Sequence, residues 1–394
     1  MCKRSAIMHT KTSMNTLVAL LASVTTTTWI SYDVILKTSI CNKTRNGDQQ
    51  RPKKRPREKT VHIGMSNRNI VTFSSTTYLY EQNTPKFPQK FIDDVRPIVS
   101  IDTALAEQST LATLNAFHHA RSFLMAALDQ DQEQLATWLW TQKQHDITSR
   151  EAKLLNMMKF ILINFVDNCT ATPISILNNT STARKDYERT WWVRRVVPLF
   201  QTFGNQTGLL NFDWCECETT HHALEEMDLT IWEKGSSRFA DGLGYDWNAN
   251  ERLVMEGSCG QHRESVSKTV DDSIKQLSSM IAMLKGIANI HLNARFDTML
   301  RTKIFGVQSI KTSIVLSEVQ FDENAKFSYR QVRKAEIPTS YKQRNKWLRV
   351  FELLAYLFVA LDDQVVNMKQ LDDEEDGAVN IPPQDTVRHK CLSV

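Results

Sequence analysis

Apolar residues recur at helical spacing over a long stretch of the chain, and they form separate stripes that predict several amphipathic helices. The stripes are Leu111, Leu114, Phe117, Leu124 and Leu128, then Leu135, Trp138 and Leu139, then Leu155, Met158, Leu162 and Phe165, and lastly Trp192, Val196, Leu199 and Phe203. Thr148 and Glu151 have the spacing of a capping box and predict the start of the third helix. Pro198 is expected to end or kink the last one. This pattern predicts a helical domain over residues 97–215.

Beyond Thr219 the apolar pattern changes from helices alone to a mixture of helices and short strands. An entry helix carrying Leu224 is followed by two runs of strand length, Arg238–Asp241 and Leu253–Glu256. A long amphipathic helix comes next, with the stripe Val266, Val270, Ile274, Leu277, Ile281, Leu284 and Ala288. The remaining elements are the strands Ile304–Gln308, Thr312–Phe321 and Phe327–Ala335 and the helix Trp347–Leu361. This order predicts an α+β fold with a mixed-sheet domain over residues 216–365.

Both ends of the chain differ in composition from the predicted domains. Residues 1–96 are predicted to be a poorly ordered lead-in, because much of this segment is polar and interrupted by proline. Residues 366–394 contain the acidic run Asp372–Asp376 and are predicted to be a disordered tail.

Two segments of the lead-in bear on localisation. The basic run Arg51–Lys59 is typical of nuclear import signals and nucleic-acid-binding arms, so it predicts a nuclear protein. Residues 16–36 follow a basic start and carry a single charge, Asp33, which leaves a signal peptide or a membrane anchor as the alternative. Against that alternative, Thr25–Thr28 interrupts the apolar run, and a membrane helix requires about twenty predominantly apolar residues.

The composition is that of a globular protein and excludes few functions. Hydrophobic residues make up 41% of the 394 residues and charged residues 23%, which is enough apolar material for a sizeable core. The formal net charge of +4 is too small to indicate nucleic-acid binding by itself. The seven cysteines are odd in number and scattered, which argues against a small disulfide-stabilised secreted domain and favours a reducing compartment.

Asp241 and Glu256 are the most informative candidate site residues. Each is expected at the end of a short strand, since Asp241 precedes Gly242 in a turn-forming pair and Glu256 follows the apolar run Leu253–Met255. Carboxylates at the tips of neighbouring strands can share a divalent cation such as Mg²⁺. The alternative is that Asp241 and Gly242 form only a turn and that Glu256 is a solvated strand end.

The order of a helix, a strand ending in Asp241, a strand ending in Glu256, a long helix and further strands resembles the core of the PD-(D/E)XK nuclease superfamily. The resemblance covers about residues 219–361, and the residues Phe239–Gly242 and Val254–Ser258 are also similar to uncharacterised fungal proteins near that superfamily. It implies the restriction-nuclease-like order α-β-β-α-β-β-β-α. It also implies a Mg²⁺-dependent phosphodiesterase that acts on nucleic acid.

In that superfamily the two acids and a strand carbonyl hold Mg²⁺, which implies the carbonyl of Gly257 as the third metal ligand here. A lysine two positions after the second acid assists the nucleophile, but Ser258 occupies that position. Some members place the lysine on the following helix, where this chain has Lys268 as the first candidate and Lys275 as the second. The alternative is a degenerate relative that has lost catalysis. The resemblance thus implies three catalytic residues, Asp241, Glu256 and Lys268, and three metal-ligating residues, Asp241, Glu256 and Gly257.

Two other groups of residues bear on ligands and partners. Lysine and arginine outnumber acids between residues 303 and 349, and Lys342–Arg349 is expected to line a phosphate track. The side chains of zinc sites are also present, but their spacing argues against zinc: Cys215, Cys217, His221, His222, Cys259 and His262. The sequence therefore predicts a nucleic-acid-associated protein. The alternatives are a non-enzymatic interaction or scaffold protein and a protein tethered to a membrane through residues 16–36.

Overall fold

The computed structural model describes residues 95–97, 106–143, 147–170, 188–220, 238–260 and 266–392. The predicted lead-in therefore lies outside the described residues, except for part of a short strand, β1 (Val95–Pro97). The basic run Arg51–Lys59 and the apolar segment 16–36 lie outside them as well. The described part of the chain has an α+β fold, with ten α-helices and a seven-stranded mixed sheet.

Four helices correspond to the first three predicted stripes. They are α1 (Ala112–Asn115), α2 (His118–Leu128), α3 (Gln132–Thr141) and α4 (Ser149–Thr170). The hydroxyl of Thr148 accepts a hydrogen bond from the amide of Glu151 at 3.2 Å, as expected for a capping box. The Glu151 carboxylate accepts hydrogen bonds from the amides of His119 and Ala120, so this side chain caps the start of α2 rather than that of α4.

The fourth stripe forms a helical segment in three parts. The parts are α5 (Glu188–Trp191), a π-helical turn (Trp192–Val196) and α6 (Val197–Thr207). Pro198 is the second residue of α6 and follows directly after the π-helical turn. The helical segment continues through Pro198 to Thr207, so the proline does not end it. Trp192, Val196, Leu199 and Phe203 are all buried, as their spacing predicts.

The sequence placed a domain boundary at residue 215, but the residues on both sides of it belong to one strand. This strand, β2 (Asn211–Glu218), pairs antiparallel with β3 (Phe239–Tyr245). Phe212 stacks on Trp214 with ring centroids 5.1 Å apart, and both pack against the helical core. The helices and the sheet therefore share one core at this position.

β3 and β4 (Glu251–Gly257) form an antiparallel hairpin. Asp241 does not end its strand, as the sequence predicted, but is the third residue of β3. Gly242 continues the strand rather than forming a turn. A Cβ atom at Gly242 would lie 2.9 Å from the ring of Trp214, so the glycine permits close packing of this aromatic side chain.

The second half of the sheet contains the strands that the sequence predicted. α7 (Val266–Ile290) and the short α8 (Phe296–Met299) precede β5 (Ile304–Ile310), β6 (Ser313–Phe321) and β7 (Phe327–Glu336). The strand order is β1-β7-β6-β5-β4-β3-β2. The β4/β5 and β1/β7 pairs are parallel, and the other pairs are antiparallel. The predicted entry helix around Leu224 lies outside the described residues.

The C-terminal residues differ from the disordered tail predicted for residues 366–394. After a 3₁₀ turn (Tyr341–Lys346), α9 runs from Trp347 to Glu375, and α10 (Val387–Leu392) follows a second 3₁₀ turn (Pro383–Asp385). The acidic run is held by partners: Asp372 lies 2.9 Å from His291, and Glu374 accepts hydrogen bonds from Arg295 and Thr298. These carboxylates fix the end of α9 to the start of α8, because they satisfy its unpaired donors.

Apolar residues pack on both faces of the sheet. Leu253 and Met255 of β4 face the core formed with α1–α4, α6 and most of α9, whereas Val254 faces the core formed with α7 and α10. β4 is buried along its whole length, because helices cover both of its faces.

Candidate functional site

The C-terminal end of β4 lies where helices from both sides of the sheet approach the same strand. Trp192 of the π-helical turn packs on Gly257, since a Cβ atom there would lie 3.2 Å from its ring. From the other side, Lys275 of α7 contacts Glu256. Side chains from three different parts of the chain therefore converge at this position.

Asp241 and Glu256 are brought together across the β3/β4 hairpin. Gly242 pairs with Met255 at the end of the β3/β4 ladder, and Asp241 and Glu256 are the next residues of the two strands. The charge of Asp241 raises the pKa of Glu256, as expected for neighbouring carboxylates. Asp241 also accepts a hydrogen bond from the amide of Gly257 at 2.8 Å, so the main chain of β4 fixes its orientation.

The carboxylate of Glu256 is buried, with 2% of its side chain exposed. Burial raises the pKa of Glu256 to about 8, and the neighbouring Lys275 opposes this shift. Nζ of Lys275 lies 2.9 Å from Oε1 of Glu256 and donates a hydrogen bond to Oε2 at 3.0 Å. Asp241 and Asp272 raise the same pKa. The charge of Glu256 therefore depends on the cations around it.

Asp272 of α7 is a third carboxylate at this position, and sequence reasoning missed it. Only 14% of its side chain is exposed. Burial raises the pKa of Asp272 to about 6, while Lys268 and a hydrogen bond from Ser258 lower it. The Ser258 hydroxyl accepts a hydrogen bond from the side-chain amide of Gln308 at 2.7 Å. Ser258, which replaces the lysine of the resembled family, therefore orients an acid from the following helix.

Lys268, the predicted lysine of α7, lies at the end of β4 as well. Its ammonium group donates hydrogen bonds to the carbonyl of Gly257, at 3.3 Å, and to the carboxylate of Glu188. It also lies 4.0 Å from Asp272. Glu188, which belongs to α5, is a further acid that sequence reasoning did not select, because acids on helices are usually solvated.

A small pocket opens beside Asp241 and Gly257. It has a volume of about 50 Å³, and its other walls are formed by Glu188, Arg189, Trp192, Val193, Cys215 and Glu216. Such a volume holds one or two water molecules, because one water takes up about 30 Å³ in the liquid. A phosphate oxygen or a single ion fits this pocket, whereas a nucleobase does not.

The oxygen atoms at the end of β4 suit a hard divalent cation. Carboxylates and main-chain carbonyls are the ligands that Mg²⁺ prefers, and this ion usually keeps several waters. Oδ2 of Asp272 is buried and accepts no hydrogen bond from any described residue, whereas Oε1 of Glu256 already lies 2.9 Å from Nζ of Lys275. Among the described residues, no three His, Cys, Asp or Glu side chains form a group that could hold a metal ion. A Mg²⁺ site here would therefore depend on two carboxylates, the Gly257 carbonyl and water.

The basic stretch between residues 303 and 349 is largely neutralised within the fold. Glu318 and Glu352, which accept most of these contacts, are both fully buried. Within the phosphate track expected at Lys342–Arg349, these contacts involve Arg344 and Lys346, and the track stays a prediction. The contacts are Lys303 and Arg330 with Glu318, Arg333 with Glu352, Lys346 with Glu336, and Arg344 with the carbonyl of Leu128.

Some of the candidate zinc ligands, and the apolar segment 16–36 considered as a membrane anchor, lie outside the described residues. Cys215, Cys217 and Cys259 form no disulfide bond with a described residue, while the three histidines considered with them lie outside the described residues. Within the described ranges, no helix combines the length and the apolar character that crossing a membrane requires.

Comparisons with protein-family models, with curated proteins and with solved structures found no match for this chain. The residues at the end of β4 therefore provide the basis for a functional proposal.

Proposed function

We propose that this protein is a nucleic-acid-associated, Mg²⁺-dependent phosphodiesterase with its site at Asp241, Glu256, Gly257 and Lys268. The observation that carries the proposal is the meeting of Asp241 and Glu256 at the end of β4, where Asp241 accepts a hydrogen bond from the amide of Gly257, with Lys268 and Lys275 of the following helix beside them. The succession of the antiparallel strands β2, β3 and β4, the helix α7 and the parallel strand β5 supports a restriction-nuclease-like order of elements.

Asp241, Glu256 and the carbonyl of Gly257 would hold the Mg²⁺ ion. When bound, this ion polarises the phosphate and lowers the pKa of a coordinated water. Glu256 must be ionised to act as a ligand, although its burial favours the protonated form. Lys275 favours the ionised form through its contacts with both carboxylate oxygens, so it prepares Glu256 for this role.

Lys268 would offset the negative charge that develops on the phosphate during cleavage. Its ammonium group already lies at the carbonyl of Gly257, which places a positive charge next to the proposed metal ligands. Asp272, which is hydrogen-bonded to Ser258, lies 4.0 Å from this ammonium group and helps to position it. In this chain Ser258 therefore pairs with Asp272 of α7, and the proposed lysine lies on the same helix instead of on β4.

One observation favours a second candidate, a non-enzymatic interaction protein of the same fold. The ammonium group of Lys268 lies against Glu188, Gly257 and Asp272, so a permanent cation is already present where the metal would act. In this case the acids and lysines would stabilise the end of β4 without a metal ion.

Cleavage of labelled single-stranded and duplex DNA and RNA in the presence of Mg²⁺ tests the proposal. We compare the wild-type chain with Asp241→Asn, which keeps the size of the side chain and removes its charge. The matched control is Asp213→Asn, because Asp213 is exposed on the neighbouring strand β2. The expected result is Mg²⁺-dependent cleavage that falls at least about a hundredfold in Asp241→Asn, the scale on which removing a metal or charge contact acts.

Two results would contradict the proposed phosphodiesterase activity. One is the absence of cleavage by a folded wild-type chain with Mg²⁺ or Mn²⁺. The other is equal cleavage by wild type and Asp241→Asn. Either result would favour the interaction protein, whose site needs no metal ion.

A further inference from the structure

Arg189 lies at the mouth of the pocket beside Asp241, and its side chain is 83% exposed. Its guanidinium group donates a hydrogen bond to Oε1 of Glu216 at 2.7 Å. Glu216 also lines the pocket, and its side chain is 67% exposed. The guanidinium and its acid partner therefore lie at the mouth of the pocket, on the surface next to the proposed site.

The ion pair between Arg189 and Glu216 is easily exchanged. Exposed pairs of this kind contribute little to stability, because water and salt screen both charges. A phosphate presents two oxygens in the geometry that a guanidinium group recognises, so it can replace a single carboxylate oxygen. Arg189 is thus held near the site by a weak partner that an incoming phosphate can displace.

Glu216 reaches the mouth of the pocket because β2 contains a bulge. The register of β2 against β3 shifts between Trp214 and Cys217, so that Cys215 and Glu216 together lie opposite the single residue Asp241. Both have positive φ angles, 72° at Cys215 and 57° at Glu216. A bulge of this type changes the direction of the side chains within it. In a regular strand successive side chains point to opposite faces, whereas here both line the pocket.

The pocket itself cannot hold a nucleotide, since its volume is about 50 Å³. A nucleic acid would therefore lie across the mouth and place only a phosphate towards Asp241 and Gly257. Arg189 and Glu188 lie on the same side of this mouth, and Glu188 is already paired with Lys268. Arg189 is the pocket-lining cation whose partner is exposed and exchangeable.

We propose that Arg189 binds a backbone phosphate of a nucleic acid at the mouth of the pocket, and that Glu216 occupies its guanidinium group when no nucleic acid is bound. This inference rests on the proposed function and names Arg189 as the residue that positions the substrate strand. Glu216 acts as a competing anion, so it weakens binding in the wild-type chain.

Fluorescence anisotropy with a fluorescein-labelled single-stranded DNA oligonucleotide, in buffer that contains EDTA, tests this inference without requiring cleavage. We expect Arg189→Ala to weaken binding about tenfold and to reduce the slope of log K against log salt by about one ionic contact. Glu216→Gln is expected to tighten binding about threefold, because it removes the competing charge. Arg189→Lys should retain part of the affinity, since it keeps the charge without the bidentate geometry.

Arg194→Ala is the matched control, because Arg194 is an exposed arginine one turn further along that does not line the pocket. Equal losses in Arg189→Ala and Arg194→Ala, together with unchanged binding in Glu216→Gln, would overturn the inference. The same variants are assayed for cleavage in Mg²⁺. Cleavage that persists without any effect of Arg189 or Glu216 on binding would reject this inference alone. The expected binding pattern in a chain that does not cleave would reject the phosphodiesterase alone.

Discussion

Nζ of Lys275 lies 2.9 Å from Oε1 of Glu256, and this contact joins the middle of α7 to the end of β4. One partner is almost completely buried, whereas 34% of the lysine side chain is exposed. Loss of one partner therefore affects the two side chains differently. Lys275 remains partly solvated without Glu256, whereas the carboxylate of Glu256 is shielded from water whether or not Lys275 is present.

Removing the lysine is expected to be more harmful than removing both partners. We expect Lys275→Met to lower the free energy of unfolding by roughly 1–3 kcal/mol at about pH 9, where Glu256 is ionised in the wild-type chain and would remain buried without its cation. The double variant Lys275→Met/Glu256→Gln should recover most of this loss. Chemical denaturation of the four chains of this cycle provides the measurement, and a double variant as unstable as Lys275→Met would show that the contact is not the cause.

Stability should fall with rising pH because of Glu256. Its pKa is raised from 4.5 to about 8 in the folded protein, so the folded chain holds a proton that the unfolded chain has released. The associated stability is complete below about pH 4.5 and is lost as the pH rises through about 8. Glu256→Gln should therefore be stabilised relative to wild type at about pH 8 and much less at about pH 5. A constant difference across this range, measured by thermal unfolding, would contradict the shift.

Lys268 and a divalent cation should compete for the same oxygen atoms. We expect Lys268→Met to bind Mn²⁺ about tenfold more tightly than wild type, because a positive charge beside the carbonyl of Gly257 has been removed. Cleavage should nevertheless fall, because the proposed phosphate-facing cation is lost. Isothermal titration and the cleavage assay provide the two readings. Lys143→Met is the charge-matched control, since Lys143 is exposed and lies on another part of the chain; weaker Mn²⁺ binding in Lys268→Met would count against competition.

Glu352 is expected to be the most sensitive carboxylate for folding. It is fully buried and joins α1 to β7, because it accepts hydrogen bonds from the amide of Leu114 at 2.7 Å and from Arg333 at 3.1 Å. Glu352→Gln should destabilise the fold by about 2–4 kcal/mol, since Arg333 loses its buried counter-charge. Glu336→Gln removes one partner of an exposed pair and should cost less than about 1 kcal/mol. Similar losses in the two variants would show that burial does not set the cost.

Nuclear localisation is a prediction from the basic run Arg51–Lys59, and it can be tested separately from the site. A fluorescent fusion of the full chain is expected to accumulate in the nucleus, and deletion of residues 51–59 should redistribute it. Replacement of the run by alanine and serine is the control for length. An unchanged distribution in both variants would refute the nuclear prediction.

The periodic elements could be predicted from the sequence because each has several apolar residues at regular spacing. α7 carries seven such positions, β5 and β6 contain short apolar runs, and β7 has Phe327 and Tyr329 at alternating positions, so the pattern indicated their type. β2 was missed because only Phe212 and Trp214 alternate with polar residues, which is too short a pattern to distinguish from a loop. Gly242 was interpreted as a turn residue, but a glycine is required there because the ring of Trp214 packs against it. This tertiary contact cannot be seen in the local sequence.

Some residues of the candidate site could be predicted from the sequence, and others could not. Asp241 and Glu256 stand out because each flanks a short run of strand residues, and Lys268 follows from the resemblance. Glu188 and Asp272 could not be selected, since acids on helices are usually solvated and only the fold brings these two to the end of β4. The acidic run near Asp372 was misinterpreted for the opposite reason: its charges suggested solvation, but they have partners on the neighbouring elements.

β1 and β2 lie at opposite edges of the sheet, and the five strands between them all come later in the chain. During synthesis both edges therefore leave the ribosome before any of their neighbours, and β1 waits for residues 327–329 of β7. Sheets that depend on such distant pairing fold slowly and expose unpaired strands in the meantime. A nascent chain stopped before residue 336 would contain both edge strands of the sheet but not all of the strands between them. This protein should therefore need protection by chaperones until translation is nearly finished.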